Sequence, residues 1–153
     1  MRRRLTPRSR PVQLVGEIAQ RYRLAFLSHS HEDRVRVFAF AQLLDALGVR
    51  YFQDIASIRT MDDWERRLHD AIDTCDLFLL FWSASAARSA WVEREARYAL
   101  SRQSASASEE PDVMPIFLDP EAPPKPEWLN GRQFDSLTRL AMRGAHAERR
   151  SEH

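Results

Sequence analysis

Apolar residues recur along this chain in two rhythms. Leu24-Ala-Phe-Leu-Ser28 and Leu77 to Trp82 are short and apolar without alternation, the pattern of strands covered on both faces. Val49 to Gln53 and Val113 to Leu118 predict two more strands, and Gln133 to Phe134 a short fifth. Between the strands the period changes. Trp64, Leu68, Ala71, Ile72 and Cys75 follow i, i+4, i+7, i+8 and i+11, a helical stripe. Val92, Ala96, Ala99 and Leu100 give a second helix its core face and carry it to about Gln103. Another helix is expected to start at Ser30 or Asp33, residues suited to cap it, and to close near Leu47 at Gly48. Strand and helix alternating over short links predict an α/β fold, a parallel sheet with helices on both faces.

The 153 residues suit one domain with a full-sized core. The longest unbroken apolar run, Leu77 to Trp82, is far short of the roughly 20 residues a membrane helix needs. The first residues carry arginines without a following apolar stretch, which argues against a secretory signal. Cys75 is the single cysteine, so no internal disulfide forms, and it is expected as a small buried helix residue. A cytoplasmic setting is the expectation. The net charge of +1 hides an asymmetry, since residues 1–23 carry seven arginines against Glu17, a balance of +6. The remaining 16 basic and 21 acidic residues give −5. Residues 1–21 are therefore expected to form a disordered basic arm. No aromatic interleaving in it suggests base stacking, so nucleic acid is not an expected partner.

In such sheets the loops at the carboxyl ends of strands build the binding crevice. Ser28–Asp33, Asp54–Asp63 and Ser83–Ser89 are loops of that kind. Trp91 and Glu95, four apart, share one side of the helix that follows the third strand. Glu95 falls at the edge of the apolar face, where partial desolvation lets a carboxylate act on a substrate. The bland alternative is a surface ion pair with Arg88, Arg94, Arg97 or Arg102. Trp91 either packs on a ligand or completes the core. Ser28, His29 and Ser30 precede a helix N-terminus, whose N–H groups favour phosphate oxygens. His31 is read as a surface loop residue. Asp54 and Ser83, at strand ends, line a sugar site or cap backbone groups. His29, His31 and Asp33 lack a further ligand set, so no metal is expected. No GxGxxG or Walker loop occurs, which disfavours hydride transfer and nucleotide kinase chemistry.

Phe26-Leu-Ser-His-Ser-His-Glu-Asp33 resembles the first conserved box of Toll/interleukin-1 receptor (TIR) domains. Tyr51-Phe-Gln-Asp54, with the loop ending at Asp62-Asp-Trp64, resembles their second strand and BB loop. Leu79-Leu-Phe-Trp-Ser83, followed by Ser89-x-Trp91-x-x-x-Glu95, resembles the third strand and its helix. The boxes keep family order and spacing over roughly residues 22–135, and Phe-Trp-Ser before the helix is similar to bacterial members. The resemblance implies a flavodoxin-like three-layer sandwich, a five-stranded parallel sheet with helices on both faces. It places a TIR domain at residues 22–143 and a frayed tail at 144–153. Met61 stands where many members have Gly, and little chain follows Phe134 for the usual last helix, for which Leu137–Met142 is at most a stub.

Many TIR domains cleave NAD at its nicotinamide–ribose bond, and Glu95 stands where those members carry their catalytic glutamate. By that resemblance NAD is the substrate and no cofactor is needed. Trp91, Ser28, His29, Ser30, Asp54 and Ser83 would contact it. Ile55, Ala56, Ser57, Ile58, Arg59, Thr60 and Met61 would form an interface between copies, since self-association commonly completes the site. Bacterial members commonly serve anti-phage defence, which implies an activating or effector partner protein. The competing expectation is a non-catalytic TIR–TIR interaction module, a signalling adaptor. A third is another flavodoxin-like enzyme acting on N-glycosidic bonds of nucleosides.

Overall fold

A computed structural model describes residues 10–52, 62–119, 121, 123, 124 and 126–129. The elements run α1 (Arg10–Arg21), β1 (Leu24–Ser28), a 3₁₀ turn (His31–Asp33), α2 (Arg34–Ala46), β2 (Arg50–Tyr51) and α3 (Trp64–Thr74). They continue with β3 (Leu77–Trp82), the single turn α4 (Ala84–Ala87), α5 (Ala90–Ala105), β4 (Asp112–Phe117) and a 3₁₀ turn at Glu127–Leu129. Among the described residues four strands form one parallel sheet in the order β2-β1-β3-β4. The α/β class, with a parallel sheet between helices, is as expected. The fifth strand expected at Gln133–Phe134 and the tail at 144–153 lie outside the described residues. No described helix is long and apolar enough to cross a membrane.

The unbroken apolar runs are two alternations superimposed. Ala25 and Leu27 of β1, with Leu77, Leu79 and Phe81 of β3, belong to one buried cluster. Phe26, Phe78, Leu80 and Trp82 belong to the other, on the opposite face. Register is fixed where Phe26 pairs with Phe78, their rings stacked with centroids 5.2 Å apart and planes nearly parallel at 6°. At the entry edge, Asp76 accepts the backbone N–H groups of Arg23 and Leu24 at 2.9 and 3.0 Å.

Right-handed crossovers decide which helix covers what. β2 and β3 flank β1 on opposite sides, so the helix leading to β2 and those leading to β3 and β4 fall on opposite faces. Accordingly Val37, Ala41 and Leu44 of α2 join the first cluster. Leu68, Ala71 and Ile72 of α3, with Val92, Ala96 and Ala99 of α5, join the second. Among the described residues the crossovers alone leave the first face with only α2, which spans the β1–β2 half. α1 supplies the rest. Its Leu14, Val15 and Ile18 are buried with Leu79, Phe81, Met114 and Ile116, and the Tyr22 hydroxyl just beyond it donates to Asp112 at the start of β4, 2.5 Å away.

Order therefore begins earlier than the charge distribution suggested. Residues 10–21 are a helix and not a disordered arm, because Leu14, Val15 and Ile18 bury one amphipathic face. Residues 1–9 lie outside the described residues. Two smaller shifts concern boundaries: the second strand is only Arg50–Tyr51, and β4 starts one residue early at Asp112. Gly48 closes α2 with φ at +79°, a conformation open to glycine at little cost.

Cys75 is buried at the C-terminal cap of α3, and its thiol donates to the Ile72 carbonyl at 3.1 Å. Burial, helped by the charge of Asp76, pushes the thiol pKa up to about 12, so the reactive thiolate is suppressed near neutral pH.

Two outcomes are expected. Ile18, wholly buried, should lose about 2–5 kcal/mol on substitution by Ala, while exposed Gln13→Ala should stay within about 0.5 kcal/mol. Denaturant midpoints of the two variants check this, and equal midpoints would return residues 10–21 to the status of a solvated arm. Iodoacetamide at pH 8 should leave Cys75 unmodified in folded protein and alkylate it readily in urea. Equal rates would show that the thiol is accessible in the native state.

Candidate functional site

β1 and β3 are adjacent and parallel, so their carboxyl ends open at the same edge. Ser28 is the last residue of β1, and Ser83 directly follows β3. The β1–α2 loop places His29, Ser30 and Asp33 beside them. α5 starts at the same edge because Ser89 caps it, its hydroxyl accepting the Val92 N–H at 3.2 Å. Little more than a turn later, Glu95 points inward.

Five polar or charged side chains are buried among the described residues: Ser28, Ser30, Asp33, Ser83 and Glu95. All five sit at this edge. Glu95 is 1% exposed, and the Ser28 hydroxyl, itself wholly buried, donates to its Oε1 at 3.4 Å. Glu95 is enclosed and not on the helix surface, and of the arginines weighed as its partners Arg97 bonds Glu93 at 2.9 Å and Arg102 bonds Asp73 at 2.7 Å. Arg94 lies over the Trp64 ring, 5.3 Å from its centroid. Glu93 is the helix-surface partner in an i, i+4 pair, and Glu95 the enclosed carboxylate.

Trp91, one turn before Glu95, is half-buried. It packs on Trp64 of α3 with centroids 4.9 Å apart, and both rings lie against the α3–α5 core. His29 is half-buried, and its Nδ1 donates to the Leu27 carbonyl at 3.0 Å, which fixes the proton on that nitrogen because a carbonyl only accepts. His31, as expected, is an exposed residue, contacted through its Nε2 by Arg34 at 2.7 Å. Asp54 and the segment Ile55–Met61 lie outside the described residues.

Asp33 departs most from expectation. Its side chain makes no capping hydrogen bond, nor does that of Ser30. Both turn inward instead. One oxygen of Asp33, Oδ2, accepts the hydroxyls of Ser30, at 3.0 Å, and of Ser83; Oδ1 accepts Arg36 Nη2 at 2.8 Å. Burial acts to raise its pKa, but the hydrogen bonds from Ser83, Arg36 and Ser30, with the Arg36 charge, outweigh burial. The carboxyl is held below its ordinary 3.8 and stays ionised near neutrality. Arg36 also bonds Asp119 at 2.7 Å, beyond β4, so the carboxyl ends of three strands are joined through one guanidinium and one carboxylate. The Ser-x-x-Asp spacing pointed only to a cap; nothing in it told that the carboxylate faces the sheet. Trp64, the partner of Trp91, was legible merely as the first residue of an apolar stripe.

Chemically, the edge offers an enclosed carboxylate with an aromatic wall one turn away, next to a saturated anion that organises the loops. Among the described residues no three His, Cys, Asp or Glu side chains are grouped to hold a metal ion. Two shallow polar grooves lie at the opposite, amino ends of the strands. One, of about 330 Å³, is lined by Asp45 and Gly48–Tyr51; the other, of about 240 Å³, by Tyr22, Asp76 and Asp112 among others. Neither approaches Glu95.

Comparison with known proteins bears on which fold family built this edge. A search of curated proteins gives no match. Among solved structures, the chain is similar to the TIR domain of the Toll-related receptor TRR-2 from Hydra magnipapillata. The match has a TM-score of 0.58 at 18% identity, covering 72% of this chain and 80% of that one, a likeness of fold. The family model for the TIR domain matches residues 25–150, most of the chain. The chain belongs to the TIR-domain family.

Proposed function

We propose that this protein is a TIR-domain NAD glycohydrolase of bacterial kind, with Glu95 as its catalytic residue. TIR domains include both NAD-cleaving enzymes and scaffolds. The observation that favours the enzyme is the confinement of every buried polar side chain among the described residues to the one edge that holds Glu95. Enclosing a carboxylate costs several kcal/mol, and an apolar residue would fill the same place in a scaffold at no such cost. A domain that only assembles gains nothing from Glu95 there.

One carboxylate suffices for this reaction. A glycosidase acting on an alkoxide leaving group needs an acid to protonate it and a second carboxylate as base or nucleophile. Nicotinamide in NAD is bound as a cationic pyridinium, so the breaking bond returns its electron pair to the ring nitrogen and the group departs neutral. Positive charge then grows on the ribose. Glu95 stabilises it electrostatically, through ribose hydroxyls or by transient attachment to the anomeric carbon. Addition of water, with its proton lost to solvent, gives ADP-ribose. Attack by an adenine nitrogen of the same molecule gives a cyclic product. Trp91 would wall the reacting ring from water, and Ser28 would hold the carboxylate in place. His29 and Ser30, with Ser83 and Asp54, are assigned to the ribose and phosphate side.

TIR domains generally self-associate or bind other TIR proteins. Glu95 is 1% exposed, so substrate reaches it only with a rearrangement of the edge, and association of copies through Ile55–Met61 is the trigger we assign. An activator or effector protein would control it, in keeping with a role in anti-phage defence.

Nicotinamide release from NAD by bead-clustered protein tests the reading. Wild type and Glu93→Gln should agree within about twofold, because the Glu93–Arg97 pair is exposed and worth little. Glu95→Gln should lose about 100-fold or more while keeping its melting temperature. Equal activity in the two variants overturns the assignment of Glu95. No release by clustered wild type favours the interaction-module reading.

A further inference from the structure

We infer that Asp33 is a positioning residue that sets the geometry of Glu95 by tying the β1–α2 loop to the β3–α4 loop. The inference rests on the enzymatic reading above for its kinetic consequence, though not for its structural one.

Two routes lead from Asp33 to Glu95. In the first, Asp33 Oδ2 accepts the Ser30 hydroxyl at 3.0 Å, and the Asp33 N–H returns to the Ser30 carbonyl at 3.0 Å. Ser30 is thereby held by side chain and main chain together, two residues from Ser28, whose hydroxyl faces Glu95 Oε1 at 3.4 Å. In the second, the same Oδ2 accepts the Ser83 hydroxyl, while Ser83 Oγ accepts the Ala86 N–H at 3.0 Å. Ser83 is thus committed on both sides, proton to Asp33 and lone pair to the first turn of α4. The Ser89 N–H bonds the Ala86 carbonyl at 3.0 Å, and Ser89 in turn caps α5, the helix that carries Glu95. Both routes begin in hydrogen bonds between the buried Asp33, Ser30 and Ser83, where geometry is held more tightly than among solvated side chains.

Asp33 cannot serve as a reacting group in this arrangement. Its two oxygens are occupied by two hydroxyls and a guanidinium, and it is 3% exposed. Its charge is matched locally by Arg36, which Asp119 holds from the other side. What it contributes is position. A surface link between the same two loops, Ser85 Oγ to Glu32 Oε2 at 2.6 Å, provides a control, since it joins the loops in solvent without touching either buried route.

The experiment compares clustered full-length wild type with Asp33→Asn, Asp33→Ala and Glu32→Gln, reading kcat and KM for nicotinamide release. Amide hydrogen exchange across residues 28–33 and 83–95 is read on the same samples. Asp33→Asn keeps an acceptor oxygen and most of the shape, so it guards against simple unfolding of the Ala variant. Expected for Asp33→Asn is a fall in kcat of about tenfold or more with KM within about twofold, measured below its melting temperature. Protection should be lost in those two segments while residues 64–74 keep theirs. Glu32→Gln should match wild type in all three readouts. A folded Asp33→Asn with wild-type kcat, or one whose loss is carried by KM alone, overturns the inference. If wild type itself releases no nicotinamide, the enzymatic reading is what fails. Hydrogen exchange then decides by itself, and unchanged protection at 28–33 and 83–95 in the Asn variant overturns the positioning role.

Discussion

The two-sided burial of β3 is the constraint from which the rest of this structure follows. All six residues from Leu77 to Trp82 are enclosed, alternately against one face of the sheet and the other. A strand of that kind must have helices over both faces, because each exposed apolar side chain forfeits about 1.5–3 kcal/mol of transfer free energy. Among the described helices, crossover handedness assigns α3 and α5 to one face and only α2 to the other. The N-terminal helix then becomes necessary, and its contacts with the β3–β4 half of the first face follow from what the crossovers leave bare. An arginine-rich segment is recruited to the core by the one apolar stripe it carries.

The same constraint concentrates polarity. With both faces of the sheet apolar, buried polar groups are accommodated where the strands stop and chain direction changes. The amino edge uses Asp76 to tie β1 to β3 by main-chain contacts at the surface. The carboxyl edge instead encloses its polar groups, with Asp33 and Glu95 a few residues from the wholly apolar centre of β3. Parallel sheets place ligand sites at this edge for reasons of topology. Here the placement coincides with the burial of two carboxylates, and nothing in the packing of the core requires either.

How much of this was legible follows from which interactions are local. β3 and the α3 stripe were readable because burial on two faces, or on one side of a helix, leaves a periodic mark on consecutive residues. Glu95 was readable at the margin of such a stripe. α1 was not, since a run of arginines outweighed a stripe of only Leu14, Val15 and Ile18, and what it covers is 60 to 100 residues away in sequence. The role of Asp33 was equally hidden. Ser-x-x-Asp reads the same whether the carboxylate caps a helix or turns inward, and the choice was made by Ser83, 50 residues on. Long-range partners determine such choices, and a single sequence does not display them. The resemblance to TIR domains implied the flavodoxin-like parallel sheet that brings these segments together; the family match and the parallel sheet of four described strands agree with it in class.

The two enclosed carboxylates differ in how their charge is used, and that difference bears on function. Asp33 accepts two hydroxyls and a guanidinium at short range, so its charge is consumed in holding structure and is stabilised below the ordinary carboxylate range. Glu95 is approached by the Ser28 hydroxyl at 3.4 Å, longer than the usual O–H···O range of about 2.5–3.0 Å. That contact helps to orient the enclosed carboxylate. An enzyme that stabilises a growing cation needs an anion fixed in place before the reaction, so that no reorganisation is required as charge develops. Under the function proposed above the work divides: Asp33 spends its interactions on rigidity, and Glu95 is the anion presented to the substrate. The coexistence of both at one strand edge is what supports the proposal that this TIR domain acts as an enzyme.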